Sequence, residues 1–286
     1  MSSLAKKIGF HVAGMTDIRY FYPVINSLQS AGETEFYLII DDNKKYTSIL
    51  DNRKNASIFF NIFSNVLGIE PERFVILKDH IDCNRSLDVD VLFSMSCDSN
   101  RKNKDFECGK YFNYSRRIIL QHGFDYLGSK KGARAACDKT LYVLNDEIYV
   151  NDINKKFNQN AKFVVPDVPV QYWNFDEQID YALSEVSPWR AVNLSLQEKV
   201  AFVFYPEVGH HESVISHVRT LTEKGYKIFI KQRRKSQGIN HALITQNNVF
   251  PVFDDIWLPS EAVIFPLLSN VCLGYGSAGY TDLSAI

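Results

Sequence analysis

Residues 8–40 read IGFHVAGMTDIRYFYPVINSLQSAGETEFYLII, and they set the expectation for the whole chain. Ile8 to Ala13 is an apolar run broken only by His11, as suits a strand buried on both faces. Gly14-Met15-Thr16-Asp17 makes a loop. A helix is expected from about Pro23, since proline is favoured in a first helical turn, with Val24, Ile25 and Leu28 as its apolar stripe and Gly32 as its end. Phe36 to Ile40 then reads as a second strand, closing a β-α-β unit that calls for a parallel sheet.

The alternation continues outward. Ser57–Leu67 reads as a helix, and Arg73–Leu77, Val89–Met95, Arg117–Gln121 and Leu141–Leu144 as strands. Ile148, Ile153 and Phe157 then stand at helical spacing. From 166 to 195, Pro166, Pro169 and Pro188 punctuate an aromatic and acidic stretch, read as a connection between domains with one short helix inside it. A second β-α-β pattern follows: strand Val200–Tyr205, loop Pro206–His211, helix Glu212–Lys224 ending at Gly225, and strand Tyr226–Lys231. Val249–Phe253, a helix near 259–268 and the strand Val271–Leu273 complete it. The expectation is an α/β protein of two Rossmann-like domains facing a cleft, 1–165 and 196–286, joined by 166–195.

Composition narrows the function. The 286 residues carry 45 % hydrophobic and 23 % charged side chains, a balance that supports a packed core. Thirty-two Lys and Arg against 33 Asp and Glu give a net charge of -1, so bulk charge offers nucleic acid no attraction. Cys83, Cys97, Cys108, Cys137 and Cys272 show no metal or disulfide spacing and read as reduced thiols of a cytoplasmic protein. No apolar run is long enough to span a bilayer. The N-x-S sites at Asn55, Asn113 and Asn193 therefore read as chance.

Chemistry is sought at the carboxyl ends of parallel strands, where open α/β sheets bind ligands. Gly274-Tyr275-Gly276-Ser277-Ala278-Gly279-Tyr280-Thr281-Asp282 follows an apolar strand. Its small residues at Gly276, Ser277, Ala278 and Gly279 suit either a phosphate seat or a tight turn into a packed helix, with Asp282 beside them. It fits neither the P-loop nor the first-strand dinucleotide fingerprint. His122, in Leu120-Gln121-His122-Gly123, is placed either as a general base or as a histidine bonding its own turn. Lys231, Arg233 and Arg234 leave a strand and suit phosphate oxygens, or else a solvated loop. Gly14, His210 and His211 lie at further strand ends. Asp41-Asp42 and Asp254-Asp255 are poor metal sites, and no metal or cofactor is expected.

Together FYPVINSLQSAG, QHG, VAFVFYP, IFIKQRR and GYGSAGYTD resemble the GT-B class of nucleotide-sugar-dependent glycosyltransferases, and within it the CDP-glycerol glycerophosphotransferase and capsule-polymerase relatives. The resemblance implies a metal-independent transferase moving a glycosyl or glycerophosphate group from a nucleotide-diphosphate donor to a glycan, polyol-phosphate or lipid-linked acceptor. It implies peripheral contact with the inner face of a membrane and a role in polysaccharide biosynthesis. His122 would take the acceptor proton. Ser277 and the turn from Gly276 to Gly279 would hold the diphosphate, with Arg233 or Arg234 in place of the family's H-P segment. UDP-N-acetylglucosamine 2-epimerases share this architecture and glycine/serine turn, and a degenerate, non-catalytic binding protein is the other alternative. Against GT-B relatives, a second domain over 196–286 reads as incomplete.

Overall fold

The computed structural model describes residues 6–32, 34–41, 48–82, 86–95, 112–121, 139–147, 150, 162–184, 199–206, 209–231, 241–252, 258, 264, 266–267 and 269–275. The chain divides into two compact units, Met1–Asn174 and Phe175–Ile286, and the division falls inside the proline-punctuated stretch.

The first unit is built on seven parallel strands: β1 (Lys6–Val12), β2 (Thr34–Ile40), β3 (Phe74–Ile76), β4 (Leu87–Met95), β5 (Phe112–Leu120), β6 (Thr140–Val143) and β7 (Lys162–Val164). Their order, β3-β2-β1-β4-β5-β6-β7, reverses direction between β1 and β4 as in a Rossmann sheet. β1 is central, and its last five residues are buried. Gly9 makes the packing there possible. A Cβ at this position would stand 3.0 Å from Ile39 Cδ1 and 3.3 Å from Val89 Cγ1. On the opposite face Phe10 stacks on Phe93 at 4.9 Å and meets Phe21 edge-on at 5.3 Å.

Phe21 belongs to α1 (Ile18–Gln29), which begins five residues before the proline expected to open it. Burial of Ile18, Tyr20, Phe21 and Tyr22 carries the helix through Pro23, because apolar packing outweighs one missing backbone donor. The expected Ser57–Leu67 helix is two elements. α2 (Arg53–Phe60) starts where Asn52 accepts hydrogen bonds from the Lys54 and Asn55 amides, and it continues as a π-helical stretch over Asn61–Val66. Phe59, Phe60, Phe63 and Phe74 pack as an aromatic cluster between these turns and β3. α3 (Leu77–Asp82) and β7 lack periodicity long enough to read from sequence, and Leu77 is buried against Ile39 and Leu92. The helix expected around Ile148, Ile153 and Phe157 lies outside the described residues.

The second unit repeats the pattern with β8 (Val200–Phe204), β9 (Lys227–Lys231), β10 (Val249–Val252) and β11 (Val271–Gly274), parallel throughout and ordered β10-β9-β8-β11. β8 is wholly buried, and its alternate residues feed two cores. Val200, Phe202 and Phe204 join Phe229, Val252 and Ala182 from α4 (Phe175–Leu183). Ala201, Val203 and Tyr205 join Ile228, Ile230, Leu243 from α6 (His241–Ile244), and Val214 and Val218 from α5 (His211–Glu223). Gly225 ends the α5 turn with φ 79°, the left-handed conformation that glycine tolerates. Of the helix expected near 259–268, only Ile264, Pro266 and Leu267 are described, all three helical.

Candidate functional site

The strand order of the second unit places β11 directly beside β8, at the point where the sheet reverses direction. The residues leaving these two strands therefore become neighbours. After β8 the Tyr205 amide still donates to the Lys231 carbonyl at 2.9 Å, which holds the ends of β8 and β9 level. Gly209 (φ 74°) and His210 (φ 56°) are both left-handed and turn the chain sharply into α5. A left-handed conformation at a non-glycine residue is a strained one and gathers at functional sites.

Three imidazoles meet two phenols around this turn. The Tyr205 hydroxyl and His211 Nδ1 are 2.8 Å apart. His217 Nδ1 and the Tyr275 hydroxyl are 2.6 Å apart, with the two rings stacked at 6.1 Å and 29°. The His210 ring lies 6.2 Å from the same tyrosine. His210 and His217 are exposed, while Tyr205 is buried beneath them. Lys231 closes β9 at the adjacent strand end, half-buried. The arrangement offers neutral and cationic donors at the carboxyl edge of a parallel sheet, which is chemistry suited to an anionic ligand.

His210, His211 and Lys231 were legible in the sequence as strand-end residues. Tyr205, His217 and Tyr275 were not assigned, although the signal existed: His217 follows His210 by seven residues, two helical turns, and so shares its face. Arg233, Arg234, Gly276, Ser277, Ala278, Gly279 and Asp282 lie outside the described residues. So does His122, whose preceding strand β5 ends at Leu120.

In the first unit Gly14 follows β1 in an extended conformation (φ 165°), with its carbonyl accepting the Asp17 amide at 3.0 Å. The buried Asp17 carboxylate in turn accepts the Ala13 amide at 2.7 Å and fixes the loop. Asp41, at the carboxyl end of β2, stands where a dinucleotide-binding sheet carries the acid for a ribose hydroxyl. Here its carboxylate is buried and turned onto His11 Nε2 at 3.1 Å. That engagement ties the ends of β1 and β2 together. Among the described residues no group of three or more His, Cys, Asp or Glu is placed to hold a metal ion. No described helix is long and apolar enough to cross a membrane.

Two Rossmann-like units in one chain, each with its own reversal point, define a GT-B-like fold. A Listeria monocytogenes protein assigned as a UDP-N-acetylglucosamine 2-epimerase, with a crystal structure at 2.2 Å, superposes with a TM-score of 0.59 over 96 % of this chain and 76 % of its own, at 9 % identity. The likeness is one of fold. No protein-family model and no curated protein matches the sequence.

Proposed function

We propose that this chain is a GT-B-type enzyme acting on a nucleotide-activated substrate, with the nucleotide diphosphate held at the carboxyl edge of β8, β9 and β11. The observation carrying this reading is the placement of His210 beside Tyr275 and of His211 on Tyr205 at the reversal point of the second sheet, with Lys231 at the adjacent strand end. In this reading the turn Gly276–Gly279, with Arg233 and Arg234, completes the phosphate contacts, and negative charge developing on the leaving nucleotide is stabilised by these donors. His122 serves as the base that takes the acceptor proton, and the product is a glycosylated or glycerophosphorylated acceptor, made in the cytoplasm for a cell-envelope polysaccharide.

A second reading has specific support. The fold likeness to a protein assigned as a UDP-N-acetylglucosamine 2-epimerase favours chemistry on the sugar nucleotide alone, with no acceptor. A thermal-shift screen with UDP-, CDP-, GDP- and CMP-linked donors tests the shared core of both, because a ligand that binds the native state raises the melting temperature by mass action. Turnover that requires an added acceptor supports transfer. Conversion without one supports epimerisation, and no shift with any nucleotide sinks both.

A further inference from the structure

A separate feature lies in the first unit, on the sheet face that carries Gly9, Leu92 and His11. Arg117 of β5 pairs in register with Leu92 of β4, and its residue is 3 % exposed. Its Nε donates to Ser94 Oγ at 3.0 Å, and Ser94 is itself fully buried. Among the described residues neither terminal amino group of this guanidinium has a hydrogen-bond partner, and Arg117 forms no ion pair. The acids of the neighbouring strands are engaged elsewhere. Asp41 faces His11, and at the amino end of β4 Asp88 accepts from Asn113 and Asp90 from the Lys7 amide.

A guanidinium keeps its charge at any pH a folded protein meets, so it cannot relieve burial by releasing a proton. Its terminal amino groups form a forked set of donors suited to an oxyanion. Its direction is informative. Ser94 is level with Ile119, two residues beyond Arg117, so the side chain leans toward the carboxyl end of the sheet, where ligands enter α/β folds. One residue past the end of β5, four residues on from Arg117 and so on the same side by strand alternation, stands Gln121. It is 1 % exposed. Its Oε1 accepts the Asn145 amide at 2.9 Å, while its Nε2 is buried with no partner among the described residues.

We propose that Arg117 and Gln121 form an oxyanion site in the first unit, taking a carboxylate or a phosphate group through the Arg117 amino groups and the Gln121 amide. The site is independent of the nucleotide reading, since all of its residues belong to the other unit. It gives the first unit a charged handle on a small anionic molecule or on the anionic end of a larger one.

Calorimetric titration of the full chain with inorganic phosphate, and separately with acetate at matched ionic strength, tests the proposal. The comparison set is wild type, Arg117→Met and Gln121→Leu. Saturable binding of either anion is expected, weakened at least tenfold by Arg117→Met and several-fold by Gln121→Leu; the tighter anion names the source. Should Arg117→Met fail to fold, Gln121→Leu alone carries the test. Absence of saturable binding to wild type, or equal binding by the folded variants, overturns the proposal.

Discussion

The Tyr275 hydroxyl lies 2.6 Å from His217 Nδ1, tying the residue that leaves β11 to the exposed face of α5, 58 residues earlier in the chain. The contact combines a hydrogen bond with a ring stack, so the two parts can be separated. Tyr275→Phe keeps the stack and loses the bond, and is expected to lower stability by about 1 kcal/mol, the usual net worth of one such bond. A double-mutant cycle with His217→Ala, followed by urea denaturation, should return a coupling energy of that order. Strict additivity would show that the pair does not hold the strand end.

The buried pair between His11 and Asp41 predicts a larger effect. Asp41→Ala strips His11 of its carboxylate hydrogen-bond partner inside the sheet, and leaving a buried polar group without its partner costs about 1–3 kcal/mol. Denaturant unfolding monitored by tryptophan fluorescence and far-ultraviolet circular dichroism would register it. A loss below about 0.5 kcal/mol, the level of an ordinary surface substitution, would contradict the structural role given to Asp41.

At Gly9 the prediction concerns packing. The Cβ of Gly9→Ala would approach Ile39 Cδ1 to 3.0 Å, and overpacking of this kind costs about 1–3 kcal/mol. Ile39→Val removes the offending carbon. The double variant should therefore be more stable than Gly9→Ala alone, a non-additive result measurable by thermal unfolding.

Glu35 and Arg73 give a pH dependence. The Arg73 guanidinium donates to the Glu35 carboxylate at 2.8 Å, and the Tyr37 hydroxyl donates to it at 3.1 Å; together these hold its pKa below the usual glutamate value. The pair's contribution is complete above the ordinary glutamate pKa and fades as pH falls through the lowered one. Glu35→Gln should flatten that part of the acid unfolding profile, its small stability loss appearing at neutral pH and vanishing at acid pH. Because the carboxylate is well solvated, the effect should shrink in high salt.

Under the proposed function, His122→Ala abolishes transfer and leaves nucleotide binding largely intact. Turnover within a factor of two of wild type, in an assay with a donor that the thermal screen identifies, would remove His122 from the mechanism.

The sequence by itself determined the alternation of strands and helices and the two Rossmann-like halves. Val200–Tyr205 is apolar throughout and Ile8–Ala13 is broken only by His11, a pattern that suits strands buried on both faces. It also marked His210, His211 and Lys231, because a polar residue just past such a run sits at a strand's carboxyl end wherever the strand lies. Tertiary structure decided what no local pattern encodes. Pro23 lies inside α1 because four neighbouring side chains are buried, and this outweighs its own preference for a helix start. His217 meets Tyr275, and Arg117 meets Ser94, through strand order and register, which bring together residues 58 and 23 positions apart. The hydrophobic pattern fixes which face of a strand is buried, but a polar residue on that face acquires its chemistry from the neighbour that the sheet places beside it.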